Sequence, residues 1–328
     1  MSHPNAAGVT ARAHSNIALI KYWGKRDARL NLPAVGSISI TLDALYTDTR
    51  VAFLPGLDAD RVDIGGRRVD TTRFSRFLDL VRTEAGIDTR ARIESWNNFP
   101  TGAGLASSAS GFAALAVAAT RAAGLTLEPR ALSVLARQGS GSAARSIFGG
   151  FVEMRRGTRD DGLDAAATPL LEAAEWPLTV IVAITEHGAK ALDSTAGMTG
   201  SADTSDFYQA WVDHAEPDLA AMREAIAARD FEAMGELAEH SCLKLHGLML
   251  STRPGQIYWN AATVAAMHAV RALRADGVPV YFTIDAGPQV KALCPPAHAE
   301  TVAAALERVP GVLETRRSVL GPDAHCHD

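Results

Sequence analysis

A short loop of small residues stands between two segments of different character, and it constrains the fold more than any other stretch. Residues 90–96 have the extended character of a strand, and the alanine-rich residues 112–123 predict a buried helix. Residues 97–111 between them hold a proline, glycines and serines. Small residues let a phosphate approach the backbone, and the N–H groups and dipole of a helix start hold the anion. The stretch therefore predicts a strand, a loop and a helix that can bind an anion.

The loop does not match the two best-known phosphate-binding motifs. No Gly-Lys-Ser/Thr follows it, so it is not a Walker A loop. Gly102 and Gly104 fit the first two glycines of a dinucleotide fingerprint, but Ser107 stands where the third should be. Because many Gly- and Ser-rich turns before helices bind nothing, the loop alone leaves phosphate binding open.

Length, charge and cysteine content narrow the class of protein. A chain of 328 residues suits two packed domains rather than one core. The net charge of -5 gives no overall attraction to nucleic acid or to an anionic membrane, so phosphate-binding charge has to be local. No apolar run approaches the about 20 residues of a membrane span, and residues 1–10 lack a signal-peptide layout. Three widely spaced cysteines predict free thiols in a reducing cytoplasm.

Hydrophobic periodicity predicts the elements along the chain. Strands are expected at residues 9–20, 37–42, 49–54, 61–69, 178–185, 280–284 and 290–294. Helices are expected at residues 71–84, 129–138, 204–214, 217–228, 231–250, 257–276 and 297–308. Residues 155–168 are expected to form a surface loop, and the tail at residues 325–328 is expected to be frayed.

Lys25 belongs to a cluster of cations and aromatic residues near the start of the chain. Lys21, Lys25 and Arg26 lie around the pair Tyr22 and Trp23. A cluster of this kind is more often a solvated turn. The aromatic pair favours instead a pocket in which a lysine meets a phosphate, because such rings are costly to expose.

Arg145 follows a turn of glycines and serines at residues 139–142. Its guanidinium could bind a phosphate or carboxylate through two parallel hydrogen bonds, while the turn offers N–H groups. The alternative is an arginine on a helix surface, with Ser140 and Ser142 as ordinary turn or cap residues.

Asp285 follows the hydrophobic strand predicted at residues 280–284 and precedes a Gly-Pro turn. An acid at the end of a buried strand is expensive to hold there without a purpose. It could cap the turn through its own backbone. Placed beside a phosphate-binding loop, it could instead orient or deprotonate a hydroxyl group.

The histidines and cysteines predict no metal site. His240 and His246 are not spaced for one helix face, and no cysteines stand at zinc-ligand spacing. The histidines of the tail lie where disorder is commoner than metal binding.

The chemistry-bearing blocks together resemble one family. Residues 16–26, which include Lys-Tyr-Trp-Gly-Lys, resemble the N-terminal signature of the diphosphomevalonate decarboxylases. Residues 99–112 resemble that family's version of the phosphate-binding loop of the GHMP small-molecule kinases. Four further blocks match in the same order, at residues 139–150, 194–198, 204–208 and 282–288. The likeness spans nearly the whole chain.

The resemblance implies an α+β protein with the GHMP-kinase fold. It implies an N-terminal domain like ribosomal protein S5 over residues 1–186 and a ferredoxin-like C-terminal α/β domain over residues 187–328. The active site is then expected in the cleft between the two domains. A homodimer is usual in the family.

The resemblance also implies the reaction and its residues. The family converts 5-diphosphomevalonate to isopentenyl diphosphate with ATP and magnesium. Asp285 would act at the 3-hydroxyl, Arg145 would hold the substrate carboxylate, and Lys25 would be a third catalytic residue. The substrate-contacting positions would be Tyr22, Lys25, Ser140, Ser142, Arg145, Ser194 and Thr195. The nucleotide-binding positions would be Asn98, Gly104, Ala106, Ser107 and Ser108.

Two departures and three rival functions accompany this interpretation. Some members carry arginine where Thr195 stands, and residues 253–256 depart from the commoner double-proline version. The chain could be a GHMP kinase or mevalonate 3-kinase that phosphorylates without decarboxylating. It could be a decarboxylase that prefers 5-phosphomevalonate, or a nucleotide-binding protein without turnover. The sequence leaves the choice between monophosphate and diphosphate open.

Overall fold

A computed structural model describes residues 8–100, 104–188 and 192–327 of the chain. Gly102 of the predicted phosphate loop and Asp328 of the predicted tail lie outside the described residues. The described residues form mixed α and β structure, which confirms the predicted α+β class. In this part of the chain, no helix combines the length and the apolar character that a membrane crossing requires.

Strands and helices alternate irregularly along the chain. The strands are β1 (Val9–Ile20), β2 (Lys25–Asp27), β3 (Leu32–Pro33), β4 (Ser37–Phe53), β5 (Arg61–Ile64), β6 (Arg67–Arg68), β7 (Ala91–Asn97), β8 (Phe151–Met154), β9 (Ala167–Leu171), β10 (Thr179–Ile184), β11 (Tyr281–Ile284), β12 (Val290–Cys294), β13 (Glu314–Val319) and β14 (His325–His327). The α-helices are α1 (Thr72–Ala85), α2 (Ser107–Ala122), α3 (Pro129–Gly139), α4 (Ser194–Thr204), α5 (Tyr208–Asp213), α6 (Ala215–Ala228), α7 (Phe231–Leu250), α8 (Ala261–Ala275) and α9 (Ala299–Glu307). Short 3-10 helices span Gly141–Ile147 and Pro296–His298.

The first sheet has the order β14-β1-β4-β7-β5-β6, with β8 pairing β4 and β9 pairing β8. Its backbone is the antiparallel pair of the two long strands β1 and β4. Helix α2 packs against this pair and is buried along most of its length. Its alanines permit close approach, and larger side chains such as Phe53, Phe77 and Phe112 fill the surrounding core.

The second sheet has the order β11-β12-β10-β13 and is antiparallel throughout. Strand β10 is buried on both faces. Because successive side chains point to opposite sides of a strand, its residues contribute to two different cores. Ile181 and Ala183 face a core that includes residues of α8 and α9. Val180 and Val182 face a second core, shared with Ile17 and its neighbours in β1. This shared core holds the two sheets together and positions the ends of β1 and β11 next to each other.

Most predicted helices and strands are confirmed with small changes at their ends, and four predictions are wrong. Residues 37–42 and 49–54 belong to one strand, β4, because register shifts let it follow β1 without a break. The helix predicted at residues 204–214 is divided, with α4 ending at Thr204 and α5 beginning at Tyr208. Within the predicted surface loop at residues 155–168, residues 165–167 are buried and β9 begins at Ala167.

The predicted frayed tail is the fourth error. Residues 325–327 form β14, which pairs antiparallel with residues 10–12 of β1. Asp48 anchors this edge, since it accepts hydrogen bonds from Arg12 at 2.7 and 2.8 Å and lies 3.0 Å from Nε2 of His327. The predicted domain division at residues 186 and 187 stays a prediction. Strand β10 joins the second sheet, and β14 joins the first.

Candidate active site

A cavity of about 390 Å³ lies where the ends of β1 and β11 meet the start of α2. The structure brings twelve of the thirteen predicted site residues into its lining. They are Tyr22, Lys25, Gly104, Ala106, Ser107, Ser108, Ser140, Ser142, Arg145, Ser194, Thr195 and Asp285. Residues distant in the chain therefore share one pocket, as the predicted site requires.

Asn98 is the predicted residue that the cavity lining does not include. It is exposed just after β7, where its Nδ2 donates to the carbonyl of Ala44 at 2.9 Å. Its Oδ1 accepts from the backbone N–H of Tyr46 at 2.9 Å. These bonds fasten a neighbouring turn, and the assignment of Asn98 to nucleotide binding stays a prediction.

Asp285 is held by two buried lysines. Lys21 Nζ donates to its Oδ1 at 2.7 Å, and Lys291 Nζ lies 3.2 Å from its Oδ2. Both lysine side chains are 1% exposed. Burial alone would raise the pKa of Asp285, but the two ammonium charges outweigh it and hold the pKa well below its ordinary value. Asp285 is consequently an anion at neutral pH.

Arg145 is buried behind the cavity and faces neutral oxygens. Its Nε and Nη2 donate to Oδ1 of Asn16 at 3.1 and 2.9 Å, and its Nη1 donates to Oγ of Ser37 at 2.5 Å. Burial lowers the pKa of Arg145 to about 10, although the charge of Asp285 opposes the shift. Within the described residues, no carboxylate forms a salt bridge with Arg145. Its charge is therefore available to an incoming anion, provided that anion reaches the cavity wall.

Two further cations face the cavity from another side. Lys25 Nζ lies 3.5 Å from Oγ1 of Thr195. Arg73 donates to the carbonyl of Gly139 at 2.7 Å and lies over the ring of Phe112 at 4.4 Å. Burial and the charge of Arg73 lower the pKa of Lys25. These side chains form a positive wall suited to a phosphate or diphosphate group.

The phosphate loop reaches α2 through two backbone conformations with positive φ. Gly104 has φ of 77°, and Ala106, the N-cap of α2, has φ of 59°. A Cβ atom on Gly104 would lie 2.9 Å from Cα of Gly287, so the loop and the turn after Asp285 approach backbone to backbone. Because α2 begins here, its N-terminal dipole end adds positive potential at the cavity.

The sequence interpretation missed several cavity residues. Asn16, Arg73 and Asp193 line the cavity, and Lys21 pairs with the catalytic candidate Asp285. Lys291 carried a usable signal, because a charged residue inside the apolar strand β12 is unusual unless it is paired. The sequence did not indicate a role for Arg73, because α1 contains several other polar and charged residues.

Two protein-family models match the chain at the regions that build this cavity. The model of the diphosphomevalonate decarboxylase-like N-terminal domain matches residues 13–167. The model of the mevalonate 5-diphosphate decarboxylase C-terminal domain matches residues 180–321. The chain belongs to the diphosphomevalonate decarboxylase family. This membership confirms the family resemblance of the sequence blocks.

Individual relatives agree with the family assignment. The phosphomevalonate decarboxylase of Haloferax volcanii is 38% identical over 86% of this chain and 86% of its own length. The diphosphomevalonate decarboxylase of Gibberella zeae is 37% identical over 88% of this chain and 81% of its own length. A solved structure described as MDDEF in complex with MVAPP, AMPPCP and magnesium is 41% identical, with a TM-score of 0.90 over 98% of this chain and 99% of that chain. The agreement over both sheets confirms the predicted GHMP-kinase fold of the family.

Proposed function

We propose that this chain catalyses the ATP-dependent decarboxylation of (R)-5-diphosphomevalonate to isopentenyl diphosphate, with ADP, phosphate and carbon dioxide as the other products. The observation that carries the proposal is the composition of one cavity. It combines an anionic Asp285, an Arg145 without a carboxylate partner in the described chain, and the positive wall of Lys25 and Arg73 beside the start of α2. Each of these groups is suited to bind one part of diphosphomevalonate or of ATP.

The chemistry requires a leaving group at a tertiary carbon. The 3-hydroxyl leaves poorly as hydroxide, so the terminal phosphoryl group of ATP is first transferred to its oxygen. The C–O bond then breaks with loss of phosphate, and positive character develops on the tertiary carbon. The bond to the carboxylate breaks in turn, and its electron pair forms the alkene as carbon dioxide leaves. Phosphoryl transfer itself depends on positioning and charge neutralisation.

Asp285 is suited to orient the 3-hydroxyl for that transfer. Its Oδ1 accepts a hydrogen bond from Lys21, and its Oδ2 forms an ion pair with Lys291 but has no hydrogen-bond partner among the described residues. The carboxylate can therefore still accept a hydrogen bond from the substrate, since its side chain is 24% exposed. A carboxylate whose pKa is held low is a weak base toward a free hydroxyl. The proton therefore moves to Asp285 only as phosphoryl transfer makes the hydroxyl oxygen acidic.

Arg145 is suited to hold the substrate carboxylate in line with the breaking bond. Asn16 and Ser37 fix the plane of its guanidinium, so little conformational freedom is lost on binding. Decarboxylation depends on this alignment, because the electrons of the breaking bond must enter the developing empty orbital.

The described loop fits a nucleotide phosphate and its magnesium ion. Gly104 has no side chain and Ala106 has only a methyl group, so a phosphate can approach the backbone of the loop closely. The hydroxyl groups of Ser107 and Ser108 line the same cavity. Within the described residues, no group of three or more His, Cys, Asp or Glu side chains is arranged as a metal site. Magnesium commonly binds through substrate phosphates and only one or two protein oxygens, so this composition suits it. When bound, magnesium neutralises phosphate charge.

We propose a homodimer in the cytoplasm, as the family resemblance implies. Size-exclusion chromatography with light scattering is the direct measurement of assembly.

Carbon dioxide release from diphosphomevalonate with ATP tests the proposed reaction. The parallel assay with 5-phosphomevalonate is needed because the relative from Haloferax volcanii is named for the monophosphate substrate. Faster turnover of the monophosphate would replace diphosphomevalonate as the proposed substrate. Formation of ADP without carbon dioxide would instead assign the chain to the kinases that stop at the phosphorylated intermediate.

Replacing Lys25 with alanine is expected to weaken diphosphomevalonate binding about fivefold at low ionic strength, because a partly exposed charge contact contributes about 1 kcal/mol. Salt screens such a contact, so the ratio of mutant to wild-type Kd should shrink as salt is added. Isothermal titration calorimetry at two salt concentrations measures this ratio. Arg26→Ala is the matched control, since Arg26 donates to the carbonyl of Arg159 and does not line the cavity. A salt-independent ratio for Lys25→Ala would contradict the exposed-contact role.

A further inference from the structure

Lys291 contacts two parts of the cavity that come from separate segments of the chain, the loop at Gly104 and the carboxylate of Asp285. We propose that Lys291 is a positioning residue that ties the carboxylate of Asp285 to the phosphate loop before α2, so that nucleotide binding and carboxylate orientation are coupled. The proposal rests on the proposed function, because it assigns Asp285 and the loop to one reaction.

The contacts of Lys291 support this connection directly. Its Nζ donates to the carbonyl of Gly104 in the loop at 2.9 Å and lies 3.2 Å from Oδ2 of Asp285. The side chain comes from β12, the strand next to the one that Asp285 follows. The close approach of Gly104 to Gly287 adds a backbone contact between the same two segments. A shift of the loop would therefore move the ammonium group that faces Asp285.

The burial of Lys291 shows that packing alone does not explain the residue. Its neighbours in β12 are apolar, and its side chain is 1% exposed. Burial lowers the pKa of Lys291, while the charge of Asp285 opposes that shift. A buried ion pair is often less stabilising than apolar residues of similar volume, so an aliphatic side chain would serve the strand better.

Lys21 and Lys291 have different tasks at Asp285. Lys21 donates a hydrogen bond to Oδ1 and has no hydrogen-bond partner among the described residues of the loop. Lys291 faces Oδ2 and also donates to the carbonyl of Gly104. With both oxygens engaged, rotation of the carboxylate about its Cβ–Cγ bond is restricted. Of the two contacts, as far as the described residues show, the one made by Lys291 depends on where the loop lies. The coupling between loop and carboxylate is consequently assigned to Lys291.

Replacing Lys291 with methionine removes the charge and the donor while keeping an unbranched side chain. We expect kcat to fall about 10- to 100-fold, because a small misplacement of a reacting group has an effect of that order. The KM for diphosphomevalonate should stay within about threefold, while the Kd for a non-hydrolysable ATP analogue should rise about three- to tenfold, as expected when one hydrogen bond is lost. The acid limb of the pH profile of kcat should move to higher pH, because Asp285 loses one of its two cations.

Two comparison variants separate this role from general destabilisation. Lys244→Met also removes a lysine from an ion pair, the one with Asp218, but lies outside the cavity. It should leave kcat, both affinities and the pH profile unchanged. Lys291→Gln keeps an N–H donor for Gly104 and removes the charge. It should therefore retain most of the analogue affinity and still shift the acid limb, and it serves if the methionine variant does not fold.

One measurement tests the contact between Lys291 and Asp285 without any substrate. The unfolding equilibrium constants of Lys291→Gln, Asp285→Asn and the double variant form a cycle, and we expect a coupling of at least about fivefold, as for residues in direct contact. Additive effects in this cycle would overturn the connection between Lys291 and Asp285. A wild-type pH profile and analogue affinity in both Lys291 variants would overturn the coupling to the loop. Failure of the wild-type protein to release carbon dioxide would count against the proposed function alone.

Discussion

Asp285→Asn is expected to lower kcat about 1,000-fold while diphosphomevalonate still binds, since loss of a positioned acid–base group removes about 10²- to 10⁴-fold of rate. Asparagine keeps the shape of aspartate but removes the negative charge that accepts the proton of the 3-hydroxyl. It also leaves Lys21 and Lys291 without their common partner. Stopped assays of carbon dioxide release, with substrate Kd measured separately by calorimetry, test this expectation.

A variant that unfolds would imitate this result, so the folded fraction has to be measured with it. The amide presents an N–H₂ group to one of two nearby ammonium groups, which destabilises the site by leaving a buried charge unpaired. A melting curve and the Kd together distinguish a folded, inactive protein from an unfolded one. Near-normal kcat in a folded Asp285→Asn protein would remove Asp285 from the mechanism.

The low pKa of Asp285 also predicts how folding stability and kcat depend on pH. Its folded-state pKa lies below the ordinary value of 3.8, so the ion pairs with Lys21 and Lys291 contribute stability that is fully present above that value. This contribution is lost as pH falls through the folded-state pKa. We expect no loss of kcat from protonation of Asp285 between pH 7 and about pH 5. An acid limb within that range in the wild-type protein would have to come from another group or from the substrate.

The local elements that carry the candidate site residues could be predicted from the sequence because their signals are local. The loop before α2 combines glycines, serines and a proline within a few positions, and the turn before Arg145 and the end of β11 each combine small or turn residues with one charged side chain. Helical spacing over long stretches also predicted α6 and α7 with nearly correct ends. Such patterns depend on nearest neighbours along the chain, and tertiary packing did not override them here.

The pairings between distant segments could not be read from the same patterns. Lys21 and Asp285 are separated by 264 positions, and only the fold brings their charges to 2.7 Å. Strand β14 likewise consists of His325, Cys326 and His327, a composition that says nothing about pairing with β1. Its place follows from β13, which returns the chain toward the first sheet. Long-range register is set by the shared core, and that core is a property of the folded chain.

The break in the predicted helix at residues 204–214 has a physical reason close to the site. Ser205 has an extended conformation, and its Oγ hydrogen-bonds with Oγ of Ser251, so the chain leaves α4 before α5 begins. Trp211 of α5 then donates to the carbonyl of Trp23 at 3.1 Å. The divided helix thus supports the aromatic pair beside Lys25, which the sequence had linked to the pocket for a different reason.

Arg145→Lys is expected to lower kcat/KM for diphosphomevalonate about 100-fold. A displacement of the substrate carboxylate by about 1 Å has an effect of that order. Lysine cannot reproduce the planar fork that donates to Asn16 and Ser37 while presenting charge to the substrate. The loss should fall mainly on carbon dioxide release. Phosphoryl transfer to the 3-hydroxyl should be less affected, so ADP would form in excess of carbon dioxide.

Arg137→Lys provides the matched control for this prediction. Arg137 is also a buried arginine bonded to neutral oxygens, the carbonyls of Leu30, Gly162 and Ala165, but it does not line the cavity. Its replacement should lower the melting temperature and leave kcat/KM per folded molecule unchanged. Measuring ADP and carbon dioxide in the same reaction then isolates the carboxylate-holding role. An Arg145→Lys protein with equal yields of both products at the wild-type rate would mean that another residue holds the carboxylate.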